Sequence, residues 1–167
     1  MPIINTVEGD LIELAKQGIF DGIAHGCNCF HAMGSGIAPQ IAKAFPLAEA
    51  ADNSTKFGSK GKLGSYSSAL VPSDEGYNLK VFNLYTQFST GVKPYSISYK
   101  AIYQAFSALN DNLQTLSSHK FLNTGELYSL GIPMIGAGLG GGHWEAIELL
   151  INLATPDIDI TLVKYNK

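Results

Sequence analysis

Pro133-Met134-Ile135-Gly136-Ala137-Gly138-Leu139-Gly140-Gly141-Gly142-His143-Trp144-Glu145 sets five glycines within seven residues between an apolar run and a helix-like run. Gly136, Gly138 and Gly141 form a G-x-G-x-x-G, and Asp157 or Asp159 stands about 20 residues further on, as in a dinucleotide-binding Rossmann unit. That fingerprint opens a βαβαβ unit and needs several strands after it, whereas here one helix and one strand remain before Lys167. The Rossmann reading is therefore rejected. Each glycine costs backbone entropy on folding, so close approach of the backbone to a ligand explains the run better than turn geometry alone.

A second glycine turn, Gly34-Ser35-Gly36, lies in the amino-terminal half. It follows an apolar run, Phe20 to Gly26, that reads as a buried strand, and it precedes Gly36 to Phe45, a helical stretch with Pro39 in its first turn and Pro46 beyond its end. Bare amides and a positive helix end can then face an anion. One such turn is a weak signal. Two of them, following different parallel strands near opposite ends of the chain, could converge on a single diphosphate.

The intervening pattern alternates. Pro2 to Val7 reads as a strand, Leu11 to Gln17 as a helix after the Glu8-Gly9-Asp10 turn, and Leu47 to Lys56 as a helical segment. Tyr66 to Val71 and Leu79 to Tyr85 read as neighbouring strands joined by a turn at Pro72-Ser73-Asp74-Glu75-Gly76. Tyr95 to Leu116 carries a helical apolar stripe about four turns long. The strand Leu127 to Ile135, the helix Trp144 to Leu153 and the strand Ile158 to Tyr165 complete the chain. This alternation implies an α/β fold with a mixed, mainly parallel sheet covered by helices on both faces, as a single domain over 1–167. In such sheets ligands sit beyond the carboxyl ends of the strands.

Composition narrows the chemistry. The chain is 46% hydrophobic and 15% charged, with a net charge of −3, which suits a globular domain rather than a disordered one. All eleven cations are lysines, so there is no guanidinium for bidentate phosphate forks, and a bound phosphate must rely mainly on backbone amides. The absence of a basic excess disfavours duplex nucleic acid as a partner. Cys27 and Cys29 are too close for an ordinary disulfide, and no second pair completes a zinc site, which implies reduced thiols in a cytoplasmic chain. There is neither an export signal at the start nor an apolar run of about 18 residues, so no membrane association is expected.

Several polar residues admit plain structural readings. His25 lies in or at the end of an apolar strand, where a satisfied core histidine is as common as a functional one. Asn28 could simply stabilise a turn, Asp10 could cap the first helix, and Trp144 reads as a core anchor. His31 and His143 read as solvated loop residues. No Ser/His/Asp order, paired-carboxylate geometry or metal-ligand cluster is visible in the spacing.

Taken together, Glu8-Gly9-Asp10-Leu11, the segment His25 to Ala38, Asn83-Leu84-Tyr85-Thr86-Gln87, the run Ile132 to Trp144 and Ile160-Thr161-Leu162-Val163 resemble the macro domain family nearly end to end. Within it the chain is most similar to the fungal and phage ADP-ribose 1''-phosphate phosphatases, whose first loop carries a similar His-x-Cys-Asn-Cys followed by a glycine turn and Ile-Ala. The resemblance implies a three-layer α/β/α fold that binds ADP-ribose and hydrolyses ADP-ribose 1''-phosphate to ADP-ribose and phosphate, with no metal or cofactor. By the same resemblance, Asp10 would accept the adenine amino group, with Leu11 beside it, and Asn28 would contact the distal ribose. Gly34, Ser35, Gly36 and Ile37 would line one side of the diphosphate. Gly136, Gly138, Leu139, Gly140 and Gly141 would wrap the other. His25 would position or deprotonate the attacking water, and the loop amides would hold the phosphoryl oxygens.

The chain also departs from family patterns. Met33 stands where many macro domains have a histidine. Gln87 or its neighbours and Gly140 stand where another branch uses a lysine and an aspartate to release ADP-ribose from protein carboxylates. A non-catalytic reader of free or protein-linked ADP-ribose, and an ADP-ribosyl-protein hydrolase, are the alternatives that share the same pocket.

Overall fold

Ile23 and Ala24 follow one another on a single strand and enter two different apolar cores, one on each side of the sheet. The computed structural model describes residues 4–34, 36–72, 78–89, 97–137 and 141–165. In chain order the elements are β1 (Asn5–Glu8), α1 (Leu11–Lys16), β2 (Gly22–Cys27), α2 (Ala38–Ala44) and α3 (Pro46–Asn53), then a 3-10 turn (Lys60–Lys62). They continue with β3 (Tyr66–Pro72), β4 (Asn78–Tyr85), α4 (Tyr99–Thr124), β5 (Ser129–Ile132), α5 (Trp144–Ala154) and β6 (Asp159–Lys164).

Among the described residues the strands form one sheet in the order β1-β6-β5-β2-β4-β3. Every neighbouring pair is parallel except β3 and β4, which run antiparallel. The sheet is thus mixed and mainly parallel, and helices cover both faces. Phe106 and Leu109 of α4 and Ile147 and Ile151 of α5 pack on Ala24, Phe82, Leu130 and Leu162. On the other face Leu11 of α1, Ile41 of α2 and Ala48 of α3 pack on Ile23, Val81 and Val163. Alternation along β2, β4 and β6 feeds both cores, as expected for strands buried on both sides. Trp144 is half-buried against the α4/α5 core, the anchor role its helical position suggests.

Two elements differ from their sequence patterns. α4 continues past Leu116 to Thr124, because polar ties carry its last turns: the Ser117 hydroxyl donates to the Asp157 carbonyl and accepts from the Tyr128 amide, and Lys120 pairs with Asp21 at 2.7 Å. An apolar stripe cannot register such contacts. β5 ends at Ile132 rather than Ile135, since Pro133 has no amide to continue the ladder. The expected turn after Pro72 lies, for residues 73–77, outside the described residues. No helix among the described residues is long and apolar enough to cross a membrane.

The two glycine loops leave β2 and β5, which are adjacent and parallel. Both therefore start side by side at the carboxyl edge of the sheet.

Candidate functional site

A cleft of about 510 Å3 opens at that edge, beyond the ends of β1, β5 and β6. Gly9, Asp10 and Leu11 form one wall, Gly36, Ile37 and Gln40 another, and Pro133, Met134 and Val163 to Tyr165 the rest. The first glycine turn and the approach to the second thus meet across one space. A larger cavity, about 730 Å3, lies at the opposite end around Asp21, Lys120 and Asp159, but neither glycine loop lines it. Ligand placement at strand carboxyl ends favours the first cleft.

Asp10 is both cap and wall. Its Oδ1 accepts the amides of Ile12 at 2.9 Å and Glu13 at 3.1 Å, closing the start of α1. The residue is exposed and lines the cleft, and Oδ2 takes no part in either capping bond. Leu11, by contrast, is a buried core residue whose flank reaches the cleft.

The first loop is held from within. Asn28 accepts the Phe30 amide at 2.9 Å and donates to the Ala32 carbonyl at 2.8 Å. One amide hydrogen of its NH2 group remains for another acceptor. His31, read from sequence as solvated, is half-buried with φ of 55°, and its Nε2 donates to the Thr55 carbonyl at 2.7 Å. That bond fixes the loop against the end of α3 and explains a backbone conformation unusual for a residue with a side chain. Met33 packs against the α1/α2 core, where it can donate no proton. Gly34 is exposed, and Gly36, at φ of 64°, has nothing within 4 Å of where a Cβ would stand. Ser35 lies outside the described residues.

The second loop is closed at its neck, where the Gly142 amide donates to the Gly136 carbonyl at 2.7 Å. A Cβ on Gly136 would meet Ile97 at 2.8 Å, and one on Gly142 would meet the Gly136 carbonyl at 2.7 Å. Packing and loop closure therefore account for these two glycines, a correction to reading all five as ligand approach. Gly141 is exposed, and Gly138, Leu139 and Gly140 lie outside the described residues. α2 and α5, the helices that follow the two loops, start without a side-chain cap, as does α3, whereas Asp10 and Ser98 cap α1 and α4. Uncapped helix starts leave amides for a ligand or water.

His25 has no solvent exposure. Its Nε2 lies 2.7 Å from Asn83 Oδ1, and the Cys27 sulfur sits 3.6 Å from Nε2 and 3.8 Å from Nδ1. Burial lowers its pKa below 6.5 against the opposing effects of Asn83 and Asp52, so the ring is neutral at physiological pH. Burial raises the Cys27 thiol well above 9.0 and the Cys29 thiol above the same value, and both cysteines are free. The structure thus separates the two residues expected to do chemistry: Asn28 stands at the strand end, while His25 lies behind it in the core.

Gln40, Met134 and Tyr165 line the cleft without having been singled out in the sequence. Gln40 and Tyr165 lie just outside the quoted motifs and Met134 within one, and exposed apolar surface on Met134 and Tyr165 becomes a signal only once the strand ends are known. Phe30, Phe57 and Phe88 form an edge-to-face cluster on the flank of the first loop, at ring separations of 5.4 and 5.0 Å. Their separation along the chain hid it.

No family model matches the chain. It is 36% identical to an uncharacterized 17.5 kDa protein from the tk-vs intergenic region of enterobacteria phage T4, over 98% of this chain and 97% of that one. It is 29% identical to an ADP-ribose 1''-phosphate phosphatase of Saccharomyces cerevisiae, covering 97% of this chain and 98% of that protein. Among solved structures, the macrodomain of Mycobacterium tuberculosis DarG superposes with a TM-score of 0.69 at 20% identity, covering 98% of each chain.

Proposed function

Because this chain belongs to the macro domain family, we propose that its carboxyl-edge cleft binds ADP-ribose and that the chain hydrolyses ADP-ribose 1''-phosphate to ADP-ribose and phosphate. One observation carries the binding half: Asp10, the Gly36-Ile37 turn and the Pro133-Met134 strand end wall a single cleft. Ile37, Met134 and Tyr165 offer apolar surface for a purine, and Asp10 Oδ2 offers an acceptor for its exocyclic amine. The diphosphate then lies between Gly34, Ser35 and Gly36 on one side and Gly138, Leu139, Gly140 and Gly141 on the other, with Gly136 holding the neck of that second loop. Backbone amides supply the anion contacts, in keeping with a chain that has no arginine. The name of the yeast relative supports the phosphatase half.

In this reading Asn28 donates its remaining amide hydrogen to the distal ribose, and the loop amides hold the phosphoryl oxygens as charge builds on them. His25 supports the reaction from behind the strand end; it takes a proton from water only when the loop beginning at Cys27 moves off its ring. Phosphate release from ADP-ribose 1''-phosphate by wild type, His25→Ala and Asn28→Ala, with calorimetric ADP-ribose binding alongside, is the test. Release by wild type that drops in both variants is expected. The complete burial of His25 favours a second reading, an ADP-ribose reader without turnover. Binding with no phosphate release establishes that reader, and absence of ADP-ribose affinity removes both.

A further inference from the structure

His25, Asn83 and Ser67 stand on one rung of the sheet, partnered across β2, β4 and β3. Their side chains form a polar line whose His25 and Asn83 are fully buried and whose Ser67 is half-buried. Asn83 Nδ2 donates to the Ala48 carbonyl at 2.9 Å and to the Ser67 hydroxyl at 3.0 Å. Ser67 meets the Tyr85 hydroxyl at 2.8 Å, and Tyr85 donates to Asp52 Oδ1 at 2.8 Å.

The directions of these bonds are not free. The Ala48 carbonyl only accepts, so the nitrogen of the Asn83 amide must face it and the oxygen must face His25. The far end of the line gives the same answer independently. Tyr85 gives its one proton to Asp52, Ser67 must therefore donate to Tyr85, and so Ser67 accepts from Asn83. Turning the amide over would set an oxygen against the Ala48 carbonyl and leave a buried donor facing the wrong way, at a cost of about 1–3 kcal/mol. With Asn83 Oδ1 facing it, His25 Nε2 carries the proton. The lone pair is then on Nδ1, and the Cys27 sulfur lies alongside the ring, 3.6 Å from Nε2 and 3.8 Å from Nδ1.

We propose that Asn83 is the positioning residue of this site: clamped between Ala48 and the Ser67-Tyr85-Asp52 line, it holds His25 as the neutral Nε2–H tautomer and leaves the basic lone pair on Nδ1. Neither glycine loop takes part, and Asn83 itself is fully buried away from the cleft. The effect on turnover rests on the phosphatase reading; the tautomer does not. Asn83, Cys27 and the charge of Asp52 act on the ring, and Asp52, Lys62 and Cys29 act on the neighbouring Cys27 thiol, Lys62 lying over the Tyr85 ring at 4.6 Å.

Long-range proton–nitrogen NMR of the 15N-labelled wild type, with the His25 signals identified by their loss in His25→Gln, reads the tautomer directly. A protonated Nε2 with an unprotonated Nδ1 is expected, and the reverse pattern overturns the proposal without any variant at Asn83. Asn83→Asp can accept from His25 but cannot donate to Ala48, so the ring is expected to gain its second proton. Phosphate release should then lose at least roughly tenfold in kcat while ADP-ribose affinity stays within about twofold, since a wrongly protonated base is lost to the chemical step and not to binding. Ser67→Ala leaves the Ala48 clamp in place, so the wild-type tautomer and a kcat within about threefold are expected. A folded Asn83→Asp with altered His25 protonation and unchanged kcat removes the positioning role. Lack of turnover by wild type removes the phosphatase reading and that role together, while the spectrum still decides the tautomer.

Discussion

The carbonyl oxygen of Gly136 accepts the amide of Gly142 at 2.7 Å, so the second glycine loop is tied at its neck by its own backbone. Ile97 and Ile147 press on the same knot. The neck is therefore fixed by backbone and packing together, and this separates two kinds of glycine. Gly142→Ala places a methyl 2.7 Å from the Gly136 carbonyl and 2.8 Å from Ile147. We expect it to lower stability by about 1–3 kcal/mol in urea unfolding, as overpacking usually does. Gly36→Ala meets no neighbour, and only its left-handed backbone opposes it, at about 1–2 kcal/mol. Equal stability of Gly142→Ala and wild type would show that the neck is not closed.

Asp10 gives a cleaner dissection of binding from stability. Asn is as good a cap as Asp, so Asp10→Asn should keep α1 and the unfolding midpoint while presenting an amide where the cleft needs an acceptor. ADP-ribose affinity should fall by about tenfold, the worth of one lost hydrogen bond to a charged group. Asp10→Ala should lose the same affinity and about 1 kcal/mol of stability in addition. Calorimetry and urea unfolding on the two variants check both halves; undiminished binding by Asp10→Asn would place the purine elsewhere.

Neighbours on one strand set opposite pH limits. His25 is depressed below 6.5 by burial, so its contribution to stability is fully present above that pH and is lost as the pH falls toward its folded value. Cys27 is raised above 9.0, so its contribution is present below that pH and is lost as the pH rises, and Cys29 acts with the same sign. Between the two values these groups contribute no slope. Unfolding free energies measured across pH should lose their acid-side decline in His25→Gln, and their alkaline decline should become shallower in Cys27→Ala. An acid limb unchanged in His25→Gln would mean that other groups govern it.

Both thiols are buried and held protonated. Under native conditions at neutral pH a disulfide-exchange reagent should leave them intact, and in denaturant it should titrate two thiols per chain. Rapid reaction of the native protein would show that the strand end opens readily.

The fold was legible because its signals are local. Alternating apolar runs placed nearly every strand and helix. Where the pattern misled, contacts between distant residues decided: Ser117 with Asp157 extends α4, and the missing Pro133 amide shortens β5. At the site the motifs marked which loops matter but not what each residue does there. Two of the five clustered glycines serve Ile97, Ile147 and each other. His25 could be recognised as notable from its neighbours Cys27 and Asn28, yet its burial and its bond to Asn83 follow from strand register, which no spacing within one segment encodes.

Asp10 joins the first turn of α1 to the wall of the cleft through one carboxylate. A ligand that occupies Oδ2 steadies Oδ1 as well, so filling the cleft should slow amide hydrogen exchange at Ile12 and Glu13, which no ligand atom need touch. The helix start thereby acts as a built-in reporter of occupancy, legible without substrate turnover or a labelled ligand.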